Sequence, residues 1–196
     1  MIRVSPAAVV DERAVIHDGA SIWHYSQIRE FAIVGQNTII GMGVYVDSGV
    51  RIGQNCKIQN QVSIYNPALI EDGVFLGPGS ILTNDKYPRA TQLDLTVKSN
   101  LDWESVGVTI ELGASVGAGS VLVAPLKVGR WALIAAGSVV TKDVPSFAMV
   151  AGNPARFRYW VGRAGLPLKK ISENLLHCPV SSDVYELVDE KALVLL

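Results

Sequence analysis

The chain of 196 residues lacks several features on which whole classes of protein depend. Its two cysteines, Cys56 and Cys178, are too few for a disulfide framework and favour a reducing, cytoplasmic setting. A net charge of −1 gives no reason to expect a nucleic-acid-binding face. No apolar run approaches the roughly 18 residues of a membrane span, and the N-terminus MIRVSPAAVV lacks the apolar segment of a signal peptide.

What the sequence has instead is an aliphatic residue at every sixth position of its first half. A period of six does not fit a helix, but it fits short strands in which alternate residues share a face. Three such strands would close an 18-residue coil, and successive coils would pair as parallel sheets. A second column of small or modest side chains, beginning at Ala8, precedes each aliphatic residue by two positions. The aliphatic column is Val4, Val10, Ile16, Ile22, Ile28, Val34, Ile40, Val46, Ile52, Ile58, Ile64, Ile70, Leu76 and Leu82.

The repeat breaks after Leu82 and resumes in a different phase at Ile110, followed by Val116, Leu122, Val128, Ile134 and Val140. The polar segment between the two arrays, residues 83–106, must therefore loop out of the stack. Long loops in a compact fold are more often functional than tolerated insertions. The sequence predicts an all-β parallel β-helix of about seven coils over residues 1–153, with a protruding loop at 83–106.

Residues 154–196 are predicted to form a separate C-terminal unit that caps the open end of the array. Pro154 suits the first turn of a helix, and Phe157, Trp160 and Val161 have helical spacing, so we expect a helix from Pro154 to about Arg163. The remainder, from Ile171, is expected to form a short hairpin or tail.

The array resembles the hexapeptide-repeat, left-handed β-helix acyltransferases. The phrase GSVVTKDVPSFAMVAGNPARF at 137–157 is similar to the end of the repeat domain in members that use acetyl-CoA. The segments IWHYSQI (22–28), KIQNQVSIY (57–65) and IEDGVFLGPGSILTNDKYPRA (70–90) resemble nucleotide-sugar N-acetyltransferases that modify the 3-amino group of a UDP- or dTDP-linked sugar.

This resemblance, over about residues 5–165, implies left-handed winding and acetyl-CoA as co-substrate. It also implies a homotrimer with the acetyl-CoA groove between neighbouring subunits, and a cytoplasmic role in making sugars for surface polysaccharide or glycosides. No metal is expected, because Ser181 and Ser182 follow Cys178-Pro179 and the tail has no second cysteine for a zinc site.

The candidate acceptor site lies where the loop leaves the array. Asn66 and Asn84 are 18 residues apart, as are Tyr65 and Thr83, so each pair should stack in successive coils. Asn84 can donate to or accept from a sugar hydroxyl or amine, Asp85 can hold an ammonium group, and Arg89 can reach a phosphate. We therefore predict Asn84 and Asp85 as catalytic residues, and as substrate-binding residues Gln59, Asn60, Tyr65, Asn66, Asn84 and Arg89.

The candidate cofactor site is a column of small residues formed by Ala118, Ala136 and Pro154. Such residues would let the thin pantetheine arm lie against exposed backbone amides and carbonyls. Lys142 and Arg156 lie near the lower end of this column, where they could meet the nucleotide phosphates of CoA. The same alanines and glycines could instead serve only to fit tight coil turns.

The chain offers no obvious general base. Its three histidines are His17, His24 and His177, and His24 lies about three coils from Asn84, on the order of 15 Å at the usual strand spacing. Cys56 falls in the interior column. Direct attack of a neutral amine on the thioester is therefore the preferred mechanism.

Three alternatives remain open. The first is an O-acetyltransferase, whose hydroxyl acceptor would normally need a histidine base. The second is a zinc carbonic-anhydrase-like β-helix, which needs several histidines within the coils, and this chain does not have them there. The third is a non-enzymatic β-helix scaffold, against which the long polar loop argues.

Overall fold

The computed structural model describes residues 1–99, 101–189 and 192–196, and within them every regular element is a β-strand. Most strands have only two residues, which is what a six-residue repeat with a turn at each corner allows. The repeat region comprises β1 (Arg3–Val4), β2 (Val9–Val10), β3 (Val15–Ile16), β4 (Ser21–Ile22), β5 (Gln27–Ile28), β6 (Ile33–Val34), β7 (Ile39–Ile40), β8 (Tyr45–Val46), β9 (Arg51–Ile52), β10 (Lys57–Ile58), β11 (Ser63–Ile64), β12 (Leu69–Ile70), β13 (Phe75–Leu76), β14 (Ile81–Leu82), β15 (Val108–Ile110), β16 (Ser115–Val116), β17 (Val121–Leu122), β18 (Leu126–Val128), β19 (Leu133–Ile134), β20 (Val139–Val140) and β21 (Ala148–Gly152).

These strands stack into three parallel sheets that form the walls of a prism. Every third strand joins the same wall, so β1, β4 and β7 begin one sheet, β2, β5 and β8 the second, and β3, β6 and β9 the third. Partner residues are 18 positions apart, as in the pairing of Ile40 with Ile22 and Ile58. The predicted parallel β-helix is confirmed, with about eight turns rather than seven, and it is consistent with left-handed winding.

The aliphatic columns fill the interior of the prism. From Ile22 to Leu82, and again from Ile110 to Val140, the residues of the large column are buried. Val4 is 45% exposed because the first coil has no coil above it. Polar residues of the small column are accommodated by bonds to neighbouring corners: the Ser26 hydroxyl donates to Gly41 O at 2.6 Å and the Thr38 hydroxyl to Gly53 O at 2.7 Å.

The loop leaves the array without disturbing the stack. Leu76 pairs with Val116 and Leu82 with Leu122, so partners across the insertion are 40 residues apart instead of 18. The extra residues lie between β14 and β15, which agrees with the loop predicted at 83–106. The change of phase in the sequence is therefore absorbed entirely outside the core.

The predicted helix from Pro154 to Arg163 is wrong. The segment forms β22 (Ala155–Trp160), which pairs antiparallel with β21. The physical reason is that β21 ends its wall with unpaired backbone groups, and a returning strand satisfies them whereas a helix would not. Trp160 packs towards the core, and its ring centroid lies 4.8 Å from that of the exposed Phe157, a contact that the bulged strand pair makes without a helix.

The tail forms a second, smaller unit beneath the array. Strands β23 (Lys169–Lys170), β24 (Leu175–His177), β25 (Val184–Asp189) and β26 (Ala192–Leu195) make an antiparallel sheet, which extends the predicted hairpin. Its core is formed by Phe147, Cys178, Tyr185 and Leu193, and Trp160 packs against both this core and that of the prism.

A charged clamp ties this sheet to the chain that enters it. Arg163 binds the Asp183 carboxylate through two nitrogens, at 2.9 and 2.6 Å. The Tyr185 hydroxyl donates to Asp183 at 3.2 Å and accepts from the Arg163 amide at 2.9 Å. The guanidinium beside Asp183 holds the pKa of that carboxyl below its ordinary value.

Replacing one interior aliphatic residue should cost far more stability than replacing its outward neighbour. Ile70 and Leu69 are adjacent in β12, but Ile70 is 1% exposed and Leu69 is 41% exposed. We expect Ile70→Ala to lower the free energy of unfolding by about 2–5 kcal/mol because it leaves a cavity, and Leu69→Ala by well under half of that. Urea denaturation of both variants measures the difference, and equal losses would contradict the inward orientation of the column.

The clamp should make stability depend on acid pH. Because the folded-state pKa of Asp183 is depressed, its contribution is present above the unfolded pKa of about 3.9 and disappears as the pH falls through the folded value. Asp183→Asn should therefore lower the melting temperature at pH 7, and the gap from the wild type should close as the pH falls below about 4. Thermal denaturation across this range measures the gap, and a gap that stays constant would rule out the ionised clamp as its source.

Candidate functional site

One corner of the prism carries polar residues in four successive coils. Glu30, Ser48, Asn66 and Asn84 occupy equivalent positions 18 residues apart, and the Asn66 side chain donates to Ser48 O at 2.6 Å. The predicted stacking of Asn66 with Asn84 is thus found in the structure. They share a cleft of about 440 Å³ whose lining residues are Arg29, Glu30, Asp47, Ser48, Asn66, Asn84, Trp103 and Ser105.

Asp47 organises the upper part of this cleft. Its Oδ1 accepts from the Tyr45 hydroxyl at 2.9 Å and from the Ser48 amide at 2.8 Å, and its Oδ2 accepts from the Asn66 amide at 3.2 Å. Burial, reinforced by the bond to Asp47, raises the pKa of Tyr45. Tyr65 lies beside the cleft rather than in its lining, where its ring centroid is 5.5 Å from that of Tyr45. The carboxylate therefore fixes the backbone of two stacked corners.

Asn84 lies at the point where the loop leaves and returns. Its carbonyl accepts from the Val106 amide at 3.0 Å, and the hydroxyl of neighbouring Thr83 accepts from the Ala124 amide at 3.0 Å. These bonds fix the backbone on both sides of the loop. Within the described residues the Asn84 side-chain amide has no hydrogen-bond partner, so both of its polar atoms remain available to a ligand.

Asp85 and Arg89 line a second cleft, of about 420 Å³, together with Pro88, Ala90, Lys98 and Trp103. Asp85 Oδ1 accepts from the Tyr87 amide at 2.8 Å, which orients the carboxylate through a local turn. Arg89 donates from Nη1 to Pro88 O at 2.8 Å. The two clefts adjoin, because Asn84 and Asp85 are consecutive and Trp103 lines both.

Gln59 and Asn60 lie in a different place from Asn84. They line a cleft of about 300 Å³ with Trp23, His24 and Met42, on the corner where His24, Met42 and Asn60 follow one another at 18-residue intervals. Asn60 Oδ1 accepts from the Met42 amide at 2.9 Å, a bond that joins adjacent coils. The structure therefore does not group these two residues with the other predicted acceptor contacts, and it also keeps His24 in their cleft.

The predicted cofactor column is only partly formed. Ala118 and Ala136 stack on an exposed corner, where the Gly137 amide donates to Ala118 O at 2.8 Å. A Cβ added to Gly119 or Gly137 would meet nothing within 4 Å, so this corner is an open ledge.

Pro154 does not extend the column. Ile134 pairs with Val150, which is 16 rather than 18 residues later, and Pro154 lies in the turn between β21 and β22. Lys142 and Arg156 line another cleft, of about 240 Å³, with Phe157. The shortened last coil thus takes Pro154 out of the column, and Lys142 and Arg156 line a cleft that includes neither Ala118 nor Ala136.

Sequence reasoning missed most of the residues that line the cleft at Asn84. The 18-residue interval that links Asn66 to Asn84 also reaches Ser48 and Glu30, so extending it upwards would have found both. Asp47 follows in the same way from Tyr65. No periodic signal points to Trp103 or Ser105, because they belong to the loop, whose path back to the corner is set by tertiary contacts.

Two repeat families match the coiled parts of the chain and leave out the loop. The pattern described as "Bacterial transferase hexapeptide (six repeats)" matches residues 13–48 and 49–84, and that described as "Hexapeptide repeat of succinyl-transferase" matches residues 107–142. Together the two patterns cover 108 of the 196 residues, and the chain belongs to the hexapeptide-repeat transferases. The family resemblance stated from the sequence is confirmed.

Relatives that match parts of the chain include acetyltransferases. The chain is 49% identical over 69 residues to the dTDP-3-amino-3,6-dideoxy-alpha-D-galactopyranose 3-N-acetyltransferase of Aneurinibacillus thermoaerophilus, a match that covers 35% of this chain and 36% of the relative. The alignment thus spans about a third of each protein.

Solved structures share the fold. A hexapeptide transferase family protein from Anaplasma phagocytophilum superposes with a TM-score of 0.55 at 22% identity, covering 84% of this chain and 86% of that one. A hexapeptide-repeat acetyltransferase from Vibrio cholerae, solved with acetyl coenzyme A, gives 0.51 at 23% identity and covers 67% and 72%.

No group of three or more His, Cys, Asp or Glu side chains that could hold a metal ion occurs within residues 1–99, 101–189 and 192–196. The same part of the chain has no helix suited to crossing a membrane.

Proposed function

We propose that the protein is an acetyl-CoA-dependent N-acetyltransferase that acetylates the 3-amino group of a UDP- or dTDP-linked amino sugar. The observation that carries this proposal is the unengaged side-chain amide of Asn84 in an open polar cleft at the root of the loop. The relative from A. thermoaerophilus, whose name specifies a dTDP-3-amino sugar as acceptor, supports the choice of substrate class.

The cleft of about 440 Å³ at Asn84 is the proposed acceptor cleft, and its lining suits a hydroxylated ring that carries an amine. Glu30, whose carboxylate is held by Arg29 at 2.8 and 2.9 Å, and Asp47 line it with carboxylate oxygens, and Asn84 adds a side-chain amide whose polar atoms are not engaged among the described residues. No histidine lines this cleft among the described residues, so the chain offers no imidazole to deprotonate an acceptor there. An amine needs less activation than a hydroxyl, which is why the arrangement favours N-acetylation over the O-acetylation alternative.

In the proposed step the neutral amine attacks the thioester carbonyl of acetyl-CoA. A C–N bond forms, the C–S bond breaks, and the ammonium proton passes to the departing sulfur to give CoA thiol and the N-acetyl sugar. Asn84 would hold the amine in line with the carbonyl, and Asp85 would stabilise the ammonium group that forms. Positioning of this kind supplies much of the acceleration in transfers between two bound substrates.

The ledge at Ala118 and Ala136 is the proposed binding site of the pantetheine arm of acetyl-CoA. Its open corner leaves room for a thin chain, and Lys142 and Arg156 in the adjacent region would meet the phosphates of CoA. We also propose a homotrimer, in which a neighbouring subunit closes the groove, and a cytoplasmic role in making modified sugars for surface polysaccharide. The acetyl-CoA complex of the V. cholerae structure supports the choice of co-substrate.

Removing the Asn84 amide should abolish most acetyl transfer. The wild type should release CoA thiol when given acetyl-CoA with dTDP- or UDP-linked 3-amino sugars, and Asn84→Ala should lower kcat at least about 100-fold because the amine loses its orienting partner. A colorimetric thiol assay measures both. Asn174→Ala, a change at an exposed residue in the bend before β24, is the matched control and should leave kcat unchanged.

The same assay separates the competing functions. Thiol release only with hydroxyl acceptors such as serine or the corresponding hydroxyl sugars would replace the proposal with O-acetylation. No release with any acceptor would favour the scaffold.

Filling the ledge should weaken acetyl-CoA binding. Ala136→Trp places a bulky side chain on the exposed corner, and we expect the KM for acetyl-CoA to rise at least about tenfold with little change in melting temperature. Ala7→Trp makes the same change at an exposed corner of the first coil and should leave this KM unchanged. An unaltered KM in Ala136→Trp would move the cofactor groove elsewhere.

A further inference from the structure

Two cationic side chains of the loop converge because the loop pairs with itself. The Lys98 amide donates to Ala90 O at 3.1 Å, and Thr91 bridges to Val97 in antiparallel fashion. This pairing brings Lys98 opposite the chain that carries Arg89, and both line the cleft of about 420 Å³. Their grouping is thus a product of backbone structure and not of chance side-chain positions.

Two carboxylate-centred turns hold the loop in this shape. Asp94 Oδ1 accepts from the Thr96 amide at 3.0 Å and from its hydroxyl at 2.6 Å. Asp102 Oδ2 accepts from the Ser99 amide and hydroxyl, both at 2.7 Å. The second turn redirects the chain so that the next residue, Trp103, faces the corner of the prism.

The positive charges of Arg89 and Lys98 are not neutralised by ion pairs with other described residues. Among the described residues neither Arg89 nor Lys98 has a carboxylate partner within 4.0 Å. Arg89 uses one nitrogen on Pro88 O, which leaves the rest of its guanidinium donors available. The carboxylate in the lining, Asp85, accepts a bond from the Tyr87 amide. The cleft therefore carries an excess of positive charge, which suits a phosphate-bearing ligand.

Trp103 separates the cationic cleft from the acceptor cleft. Its side chain is 37% exposed and contributes to the lining of both. A partly exposed indole offers a flat apolar face, which binds nucleobases by stacking without regard to their identity. The two clefts, of about 420 and 440 Å³, are each within the usual size of small-molecule sites.

We propose that Arg89, Lys98 and Trp103 form the subsite for the nucleoside diphosphate of the acceptor, with the two cations on the diphosphate and the indole on the base. This inference rests on the proposed function, since it assigns the sugar to the neighbouring Asn84 cleft. It adds Lys98 and Trp103 to the binding residues and makes the loop the element that recognises the nucleotide.

Binding of free nucleotides tests the subsite without requiring any acetyl transfer. Isothermal titration calorimetry of the full chain with dTDP, UDP and thymidine should show that dTDP and UDP bind and that thymidine binds more weakly. Lys98→Ala and Arg89→Ala should each weaken dTDP at least about fivefold and leave thymidine unchanged, because they remove phosphate contacts. Trp103→Leu should weaken dTDP and thymidine alike, by about tenfold.

Two control variants test whether the loss of any exposed lysine or aromatic residue weakens dTDP binding. Lys169→Ala removes an exposed lysine from the tail sheet, and Tyr159→Leu removes an aromatic residue of similar exposure, 40%, from β22. Both should bind dTDP as the wild type does. Melting temperatures establish that each variant is folded.

The possible outcomes separate this subsite from the proposed function. Wild-type affinity for dTDP in Lys98→Ala and Trp103→Leu overturns the subsite, and so does a wild type that binds neither dTDP nor UDP, even if amino sugars are acetylated. Loss of nucleotide binding in those variants, together with an Asn84→Ala variant that still binds dTDP, supports it. If dTDP binding depends on the three residues but no amino sugar is acetylated, the proposed function fails while the nucleotide subsite stands.

Discussion

The structure depends on the pairing of each short strand with the strand one coil away. A strand of two residues cannot hold its shape alone, and its backbone groups are satisfied only when coils stack at the 18-residue interval. The same stacking places one aliphatic side chain beside the next, as in the buried series Ile22, Ile40 and Ile58. Hydrogen bonding and apolar burial thus impose the same register, and the side chains left for chemistry are those on the outer walls and corners.

The loop inserted between β14 and β15 leaves the register of the coils unchanged. Since Leu76 still pairs with Val116, the loop adds length without shifting any interior residue. It leaves and returns at a single corner, where the Val106 amide binds Asn84 O. A rigid corner and an added loop therefore meet at one place, and both proposed parts of the acceptor site lie there. Asn66 and Asn84 belong to the prism, whereas Arg89 and Lys98 of the cationic cleft belong to the loop.

The antiparallel strand at the end of the array follows from the same need of backbone groups for hydrogen-bond partners. A stack of parallel strands has an open edge, and β22 covers the edge of β21 by turning back against it. The helix predicted for this segment was inferred from Phe157, Trp160 and Val161, whose spacing fits a helix as readily as a strand at a bulge. The bulge between Met149 and Val150 and the shortened last coil also remove Pro154 from the column of Ala118 and Ala136.

The sequence by itself determined the period, the three walls, the interior columns and the position of the insertion, because each follows from an interval that every coil must repeat. It also placed Asn66 beside Asn84, since both obey that interval. Only the tertiary structure decided that Gln59 and Asn60 lie on another corner, that Trp103 returns to face Asn84, and that Arg89 and Lys98 share one cleft. These contacts join residues in loops and at chain ends, where no repeat constrains the backbone and the path is set by local turns and by the edges that remain to be paired.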